Sequence, residues 1–136
     1  MASDTKTSYF AGFFDGEGSC GIYDTSIDKK QAQFRVSLCQ NDPRPLYEVQ
    51  SIFGGSIRPR RRYVNNKLSI NYEWYIYGSK AERFLFCIRP FTIVKSEQID
   101  IFLAARKCLC GKGNRKATQN SAGLIEAERV LKALKR

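Results

Sequence analysis

Residues 10 to 18 read Phe-Ala-Gly-Phe-Phe-Asp-Gly-Glu-Gly, a run in which two carboxylates, Asp15 and Glu17, stand two residues apart among glycines and aromatics. Carboxylates are hard oxygen donors, suited to a divalent cation or to moving protons. The 136-residue chain holds no histidine, so histidine-metal, Ser-His-Asp and Cys-His chemistries are excluded. Its five cysteines, Cys20, Cys39, Cys87, Cys108 and Cys110, contain no Cys-x-x-Cys pair. That argues against zinc, and in apolar surroundings they read as small buried hydrophobes. The other chemical feature is charge: 23 basic against 13 acidic residues leave +10. Such a field favours a polyanion, with nucleic acid the leading partner.

The carboxylates need an element to position them. On a helical wheel Tyr9, Phe10, Phe13 and Phe14 cover one side, while Ser8, Gly12 and Gly16 line an adjacent flank almost bare of side chain. Glycine within a helix costs about 1 kcal/mol relative to alanine, so two of them four residues apart predict a close crossing with a second helix. The helix would end at Glu17 and Gly18, and each of two crossing helices would deliver a carboxylate to the seam.

Beyond it, Ser19 to Thr25 and Gln33 to Gln40 alternate with period two around a polar Asp28-Lys29-Lys30 turn. Asp42-Pro43 predicts a helix start, with Asp as cap and Pro at the first helical position; Leu46, Val49 and Phe53 form its buried stripe and Gly54-Gly55 its end. Ser56 to Tyr63 and Leu68 to Tyr77 read as strands around Asn65-Asn66. A short helix from Gly78-Ser79 closed by Pro90, another over Ser96 to Lys107, a basic loop over Gly111 to Asn120 and a last helix from Ser121 complete the chain. The expectation is one α+β domain over residues 1–136, ordered αββαββα and then helical. Its four-stranded antiparallel sheet carries helices on one face and arginine, asparagine and tyrosine on the other. No apolar run approaches the roughly 20 residues of a membrane span and no leader or lipidation signal is seen, so an intracellular protein without membrane association is expected.

Phe10 to Gly18 resembles the nine-residue signature of the LAGLIDADG homing endonucleases, with Phe at aliphatic positions and Glu17 for the second Asp. Gln40-Asn41-Asp42, Phe53-Gly54-Gly55 and Pro90-Phe91 followed by Lys95 extend the resemblance over residues 7 to 107. A single signature in a chain of this length resembles the homodimeric branch, since monomeric members carry two copies in about twice the length. The resemblance implies a saddle-shaped sheet over the DNA major groove, with signature helices crossing at the two-fold axis through Ser8, Gly12 and Gly16. It also implies double-strand cleavage at a long, partly palindromic site to leave short 3′ overhangs, and an intron-encoded origin in a prokaryotic cytoplasm or an organelle.

By the same resemblance Glu17 and the Gly16 carbonyl hold a divalent metal, Mg²⁺ or another such as Mn²⁺. Gln40 positions solvent, Lys95 helps activate or orient water, and Arg44 joins the same pocket. Asp15 is expected to serve the packing or end of the helix and not catalysis. Groove-facing positions that would read bases are Ser19, Tyr23 and Thr25; Gln33, Arg35 and Ser37; Ser56, Arg58 and Arg60; and Asn71, Glu73 and Tyr75. Lys29, Lys30, Arg61, Arg62, Lys112, Arg115 and Lys116 are the expected phosphate contacts. The alternative within the same fold is an intron RNA maturase or a DNA-binding regulator that does not cut.

Overall fold

Among the described residues, nine regular elements follow one another in the order expected. The computed structural model describes residues 3–23, 32–109 and 121–134. Helix α1 (Asp4–Glu17) is capped by Ser3, whose hydroxyl accepts the Lys6 N–H at 3.2 Å. Strands β1 (Gly18–Tyr23) and β2 (Gln33–Gln40) form the first hairpin, and helix α2 (Arg44–Phe53) leads to β3 (Ser56–Val64) and β4 (Lys67–Tyr77). Helices α3 (Gly78–Ile88), α4 (Ser96–Leu109) and α5 (Ser121–Leu134) follow, with a single 3₁₀ turn at Arg89–Phe91. The sheet is antiparallel throughout, in the order β1-β2-β4-β3.

Period-two alternation decides which side of each strand meets the helices. Cys20 and Ile22, Phe34, Val36 and Leu38, and Trp74 and Ile76 are buried on the helix side. Phe84 of α3 is the hub of that core, edge-on to Phe53 at 5.0 Å, to Trp74 at 5.1 Å and to Phe14 at 6.1 Å. The Gly54-Gly55 corner admits no other residue at its second position: Gly55 has φ 92°, and a Cβ there would lie 2.2 Å from Ile76. Asn65 and Asn66 both take positive φ, 53° and 62°, the conformation a two-residue hairpin with primed turn geometry needs.

The α2 start differs from the reading above. Pro43, not Asp42, is the cap residue, and the Asp42 carboxylate instead accepts the Arg44 N–H at 3.0 Å, a local turn held by an acidic side chain. The hairpin of β3 and β4 runs past the core, with every residue from 58 to 70 exposed. Cys20 is buried as expected, but Cys39 and Cys87 are only partly covered. Among the described residues no helix is long and apolar enough to cross a membrane.

Candidate active site and nucleic-acid interface

The corner where α1 becomes β1 concentrates the chemistry. Gly18 closes the helix with its N–H on the Phe14 carbonyl and then pairs with Leu38 as the first residue of β1. Glu17, the last helical residue, is exposed, and no hydrogen bond or ion pair reaches its carboxylate among the described residues. Lys95, from the turn before α4, donates its ammonium to the Phe14 carbonyl at 3.1 Å and to the Gly18 carbonyl at 2.5 Å. Both carbonyls lie at the C-terminal end of α1, where the helix dipole favours a cation. Gln40 ends β2 two residues beyond the Gly18–Leu38 pair, at the same end of the hairpin, with its amide oxygen on the Asn41 N–H at 2.9 Å. Gly16, Glu17, Gln40 and Lys95 therefore gather at one corner.

Arg44 stands apart from them. Its guanidinium grips Asp42 through three contacts of 2.6 to 3.1 Å. That hydrogen-bonded guanidinium holds the Asp42 carboxyl down at about 2, from an ordinary 3.8. Both residues line an open cleft of about 610 Å³ with Lys6, Tyr9 and Glu48, between the starts of α1 and α2. No hydrogen bond or ion pair joins Arg44 to Glu17 or Gln40 among the described residues.

Along the other flank of α1, Ser8, Gly12 and Gly16 are exposed, and a Cβ added to either glycine would meet nothing within 4 Å. Gly18 is the opposite case. Its φ of −87° suits any residue, yet a Cβ there would lie 2.1 Å from the Phe14 ring. The chain's own packing thus demands glycine at 18 and leaves 12 and 16 unexplained from within.

The sheet face away from the helices carries the polar array. Register places Arg58 opposite Glu73, Arg60 opposite Asn71 and Ser56 opposite Tyr75, with Ser37 opposite Tyr75 on the other side of β4. Ser19 and Tyr23 of β1 pair with Ser37 and Gln33. Glu73 is not displayed there as a base contact would be: it is 4% exposed, beneath arginines. Arg58 reaches it at 2.8 Å and Arg35 at 2.9 Å, with Arg60 further off at 3.9 Å. The Arg58 and Arg35 guanidiniums also lie over the Tyr75 ring, at 4.9 and 5.5 Å from its centre. Ser37 is likewise buried, at 6% exposure. The result is an ordered basic cluster with one carboxylate at its centre.

Register also separates two arginines grouped above as phosphate contacts. Arg62 faces the same way as Arg58 and Arg60, opposite Ser69, whereas Arg61 lies opposite Ile70 on the other side of the hairpin. Period two is legible in the sequence and by itself distinguishes them. Cys39 alternates onto this same face of β2, and its sulfur accepts from Arg60 at 3.2 Å. Thr25, Lys29, Lys30, Lys112, Arg115 and Lys116 lie outside the described residues.

A four-stranded antiparallel sheet with arginines on one face, joined to a glycine-flanked helix that ends in an exposed carboxylate, defines an α+β domain with a basic sheet surface. Residues 10–104 match the LAGLIDADG endonuclease family, and the chain belongs to it. It is 32% identical over 80 residues to an intron-encoded DNA endonuclease, ai2b, of Dictyostelium discoideum, and that match spans 58% of this chain but 28% of the relative. The fold is shared with the archaeal intron-encoded homing endonuclease I-Vdi141I, solved in complex with DNA, at a TM-score of 0.73 and 21% identity, covering 98% of this chain and 86% of that one. I-CvuI, a homing endonuclease solved with its target in the presence of Ca, superposes at a TM-score of 0.70 and 22% identity, covering 96% and 82%.

Proposed function

We propose that this protein is a homodimeric, site-specific double-strand DNA endonuclease of the intron-homing kind. It would use Mg²⁺ or a similar divalent ion such as Mn²⁺ and leave short 3′ overhangs at a long, partly palindromic site. The observation that carries the reading is the open glycine flank of α1 ending in an exposed carboxylate that, among the described residues, meets no hydrogen-bond or ion-pair partner. Gly12 and Gly16 cost helix stability, and among the described residues of their own subunit no neighbour needs them small. A second copy crossing on that flank accounts for both and brings two Glu17 carboxylates to one seam. Tyr9, Ile93 and Val94, 55%, 84% and 73% exposed, supply apolar surface beside it.

The donor set fits a hard divalent cation. Glu17 offers an exposed carboxylate, the Gly16 carbonyl is one residue away, and no group of three or more His, Cys, Asp or Glu occurs among the described residues. One subunit therefore supplies part of a site, to be completed by its partner and by phosphate oxygens. When bound, the metal would supply charge stabilisation at the phosphorus and the leaving oxygen and would acidify water.

Glu17 would hold the cation, whose charge would offset repulsion between the two carboxylates. Gln40, able to donate and accept, holds solvent, and Lys95 places positive charge beside the same corner. Arg44 adds a cation at the start of α2. Arg35, Arg58 and Arg60 suit bidentate pairing with guanine, and Gln33 and Asn71 suit adenine. Phosphate contacts from the exposed Arg61 and Arg62 fix register and give salt dependence.

The test is cleavage of a randomised double-stranded DNA library by wild type and Glu17→Gln, with Mg²⁺ or EDTA. Enrichment of one long site cut only by wild type with Mg²⁺ is expected. Site-specific binding without cutting in any divalent ion would overturn the reading in favour of a regulator or intron RNA maturase.

A further inference from the structure

We propose that Asp15, which none of the functions above uses, is the positioning residue for Lys95, clamping its backbone to the motif helix so that the ammonium is held at the Glu17 corner. This rests on the endonuclease reading. The Asp15 carboxylate accepts three consecutive backbone N–H groups: Ile93 at 2.7 Å and Val94 at 3.2 Å on Oδ2, and Lys95 at 3.1 Å on Oδ1. These donors precede α4, whose first helical bond runs from the Ile99 N–H to the Lys95 carbonyl at 3.0 Å, so the helix itself cannot satisfy them.

The arrangement is reciprocal. A carboxylate from the last turn of α1 sits at the positive end of α4, and an ammonium from the start of α4 sits at the negative end of α1. Lys95 is thereby fixed at both ends, its main chain by Asp15 and its Nζ by the Phe14 and Gly18 carbonyls that flank Glu17. Ile93 and Val94 are 84% and 73% exposed. A buried Thr92, its hydroxyl on the Arg89 carbonyl at 2.9 Å, and the Ser96 hydroxyl, on the Thr92 and Ile93 carbonyls at 3.0 and 3.3 Å, brace the same turn, but both act on carbonyls and leave its three N–H groups to Asp15.

The inference is tested with Asp15→Asn, Lys95→Met and the double variant, each first shown to be folded by circular dichroism. Single-turnover cleavage of saturating target is then measured at saturating Mg²⁺. Misplacing a reacting group by about 1 Å costs up to roughly 100-fold, so Asp15→Asn should slow cleavage by about 10- to 100-fold with DNA affinity unchanged. In the Lys95→Met background the same change should alter the rate by less than about twofold. A merely structural Asp15 predicts the full loss in both backgrounds, which would overturn the proposal. The ¹⁵N resonance of the Lys95 ammonium in the metal-free protein gives a readout independent of cleavage. It should shift in Asp15→Asn, and an unmoved signal would refute the clamp even if wild type proved to cut no DNA, the result that defeats the endonuclease reading instead.

Discussion

Replacing Gly18 with alanine would put a carbon 2.1 Å from Phe14 Cδ1 and 2.6 Å from Cε1 and Cγ. The backbone there, at φ −87° and ψ 163°, suits alanine, so the cost is wholly steric. Neither partner can yield. Phe14 has no exposed surface and meets Phe84 edge-on, while Gly18 is tied through its N–H to Phe14 and through its carbonyl to Lys95. Overpacking of this kind costs about 1–3 kcal/mol, and the lack of escape places Gly18→Ala near the upper end. Phe14→Leu alone should cost about 1–2 kcal/mol through the cavity it leaves. Because leucine vacates the space the new methyl needs, Gly18→Ala/Phe14→Leu should be only slightly less stable than Phe14→Leu. Urea unfolding of the four proteins, compared through their midpoints at common slope, measures the cycle. Additive costs, or a Gly18→Ala protein within about 0.5 kcal/mol of wild type, would refute the packing argument.

Gly12→Leu should leave the fold intact, since nothing lies within 4 Å of a Cβ there, yet halve the mass seen by light scattering and abolish cleavage; a dimer that persists would remove Gly12 from the interface. Glu73→Gln should free Arg35 and Arg58 from their shared carboxylate, raising affinity for random DNA while narrowing its gap to the specific site. Titrating salt for both DNAs reads this, the slope steepening by about 0.9 for each further phosphate neutralised, and an unchanged specificity ratio would count against it. The Asp42 carboxyl should titrate near 2 by NMR, and Arg44→Ala should return it towards 3.8. Its folded value is depressed, so its contribution to stability is complete above 3.8 and is lost as pH falls through about 2; a midpoint unmoved by Arg44→Ala would deny the pairing.

Much of this molecule is local physics and therefore legible in the chain. Helix α1, the Asn65-Asn66 turn, the Gly54-Gly55 corner and the alternation that sends Trp74 inward and Tyr75 outward are set by residues within a few positions of one another. So are the glycine flank and the exposed Glu17 at its end. What pairs across distance was not legible. Asp15, expected to serve the helix packing or end, meets backbone groups 78 to 80 residues away, partners that no local pattern names. Glu73 alternates like a groove residue but is buried, because Arg35 from β2 and Arg58 from β3 converge on it only once β4 lies between them. Asp42 reads as a cap by type and becomes Arg44's partner by geometry. Sequence by itself determined the elements, their faces and the carboxylate at the motif's end, since periodicity and glycine sterics act between near neighbours. Only the tertiary structure decided which charges neutralise one another, since Coulomb energy depends on distances that folding alone sets.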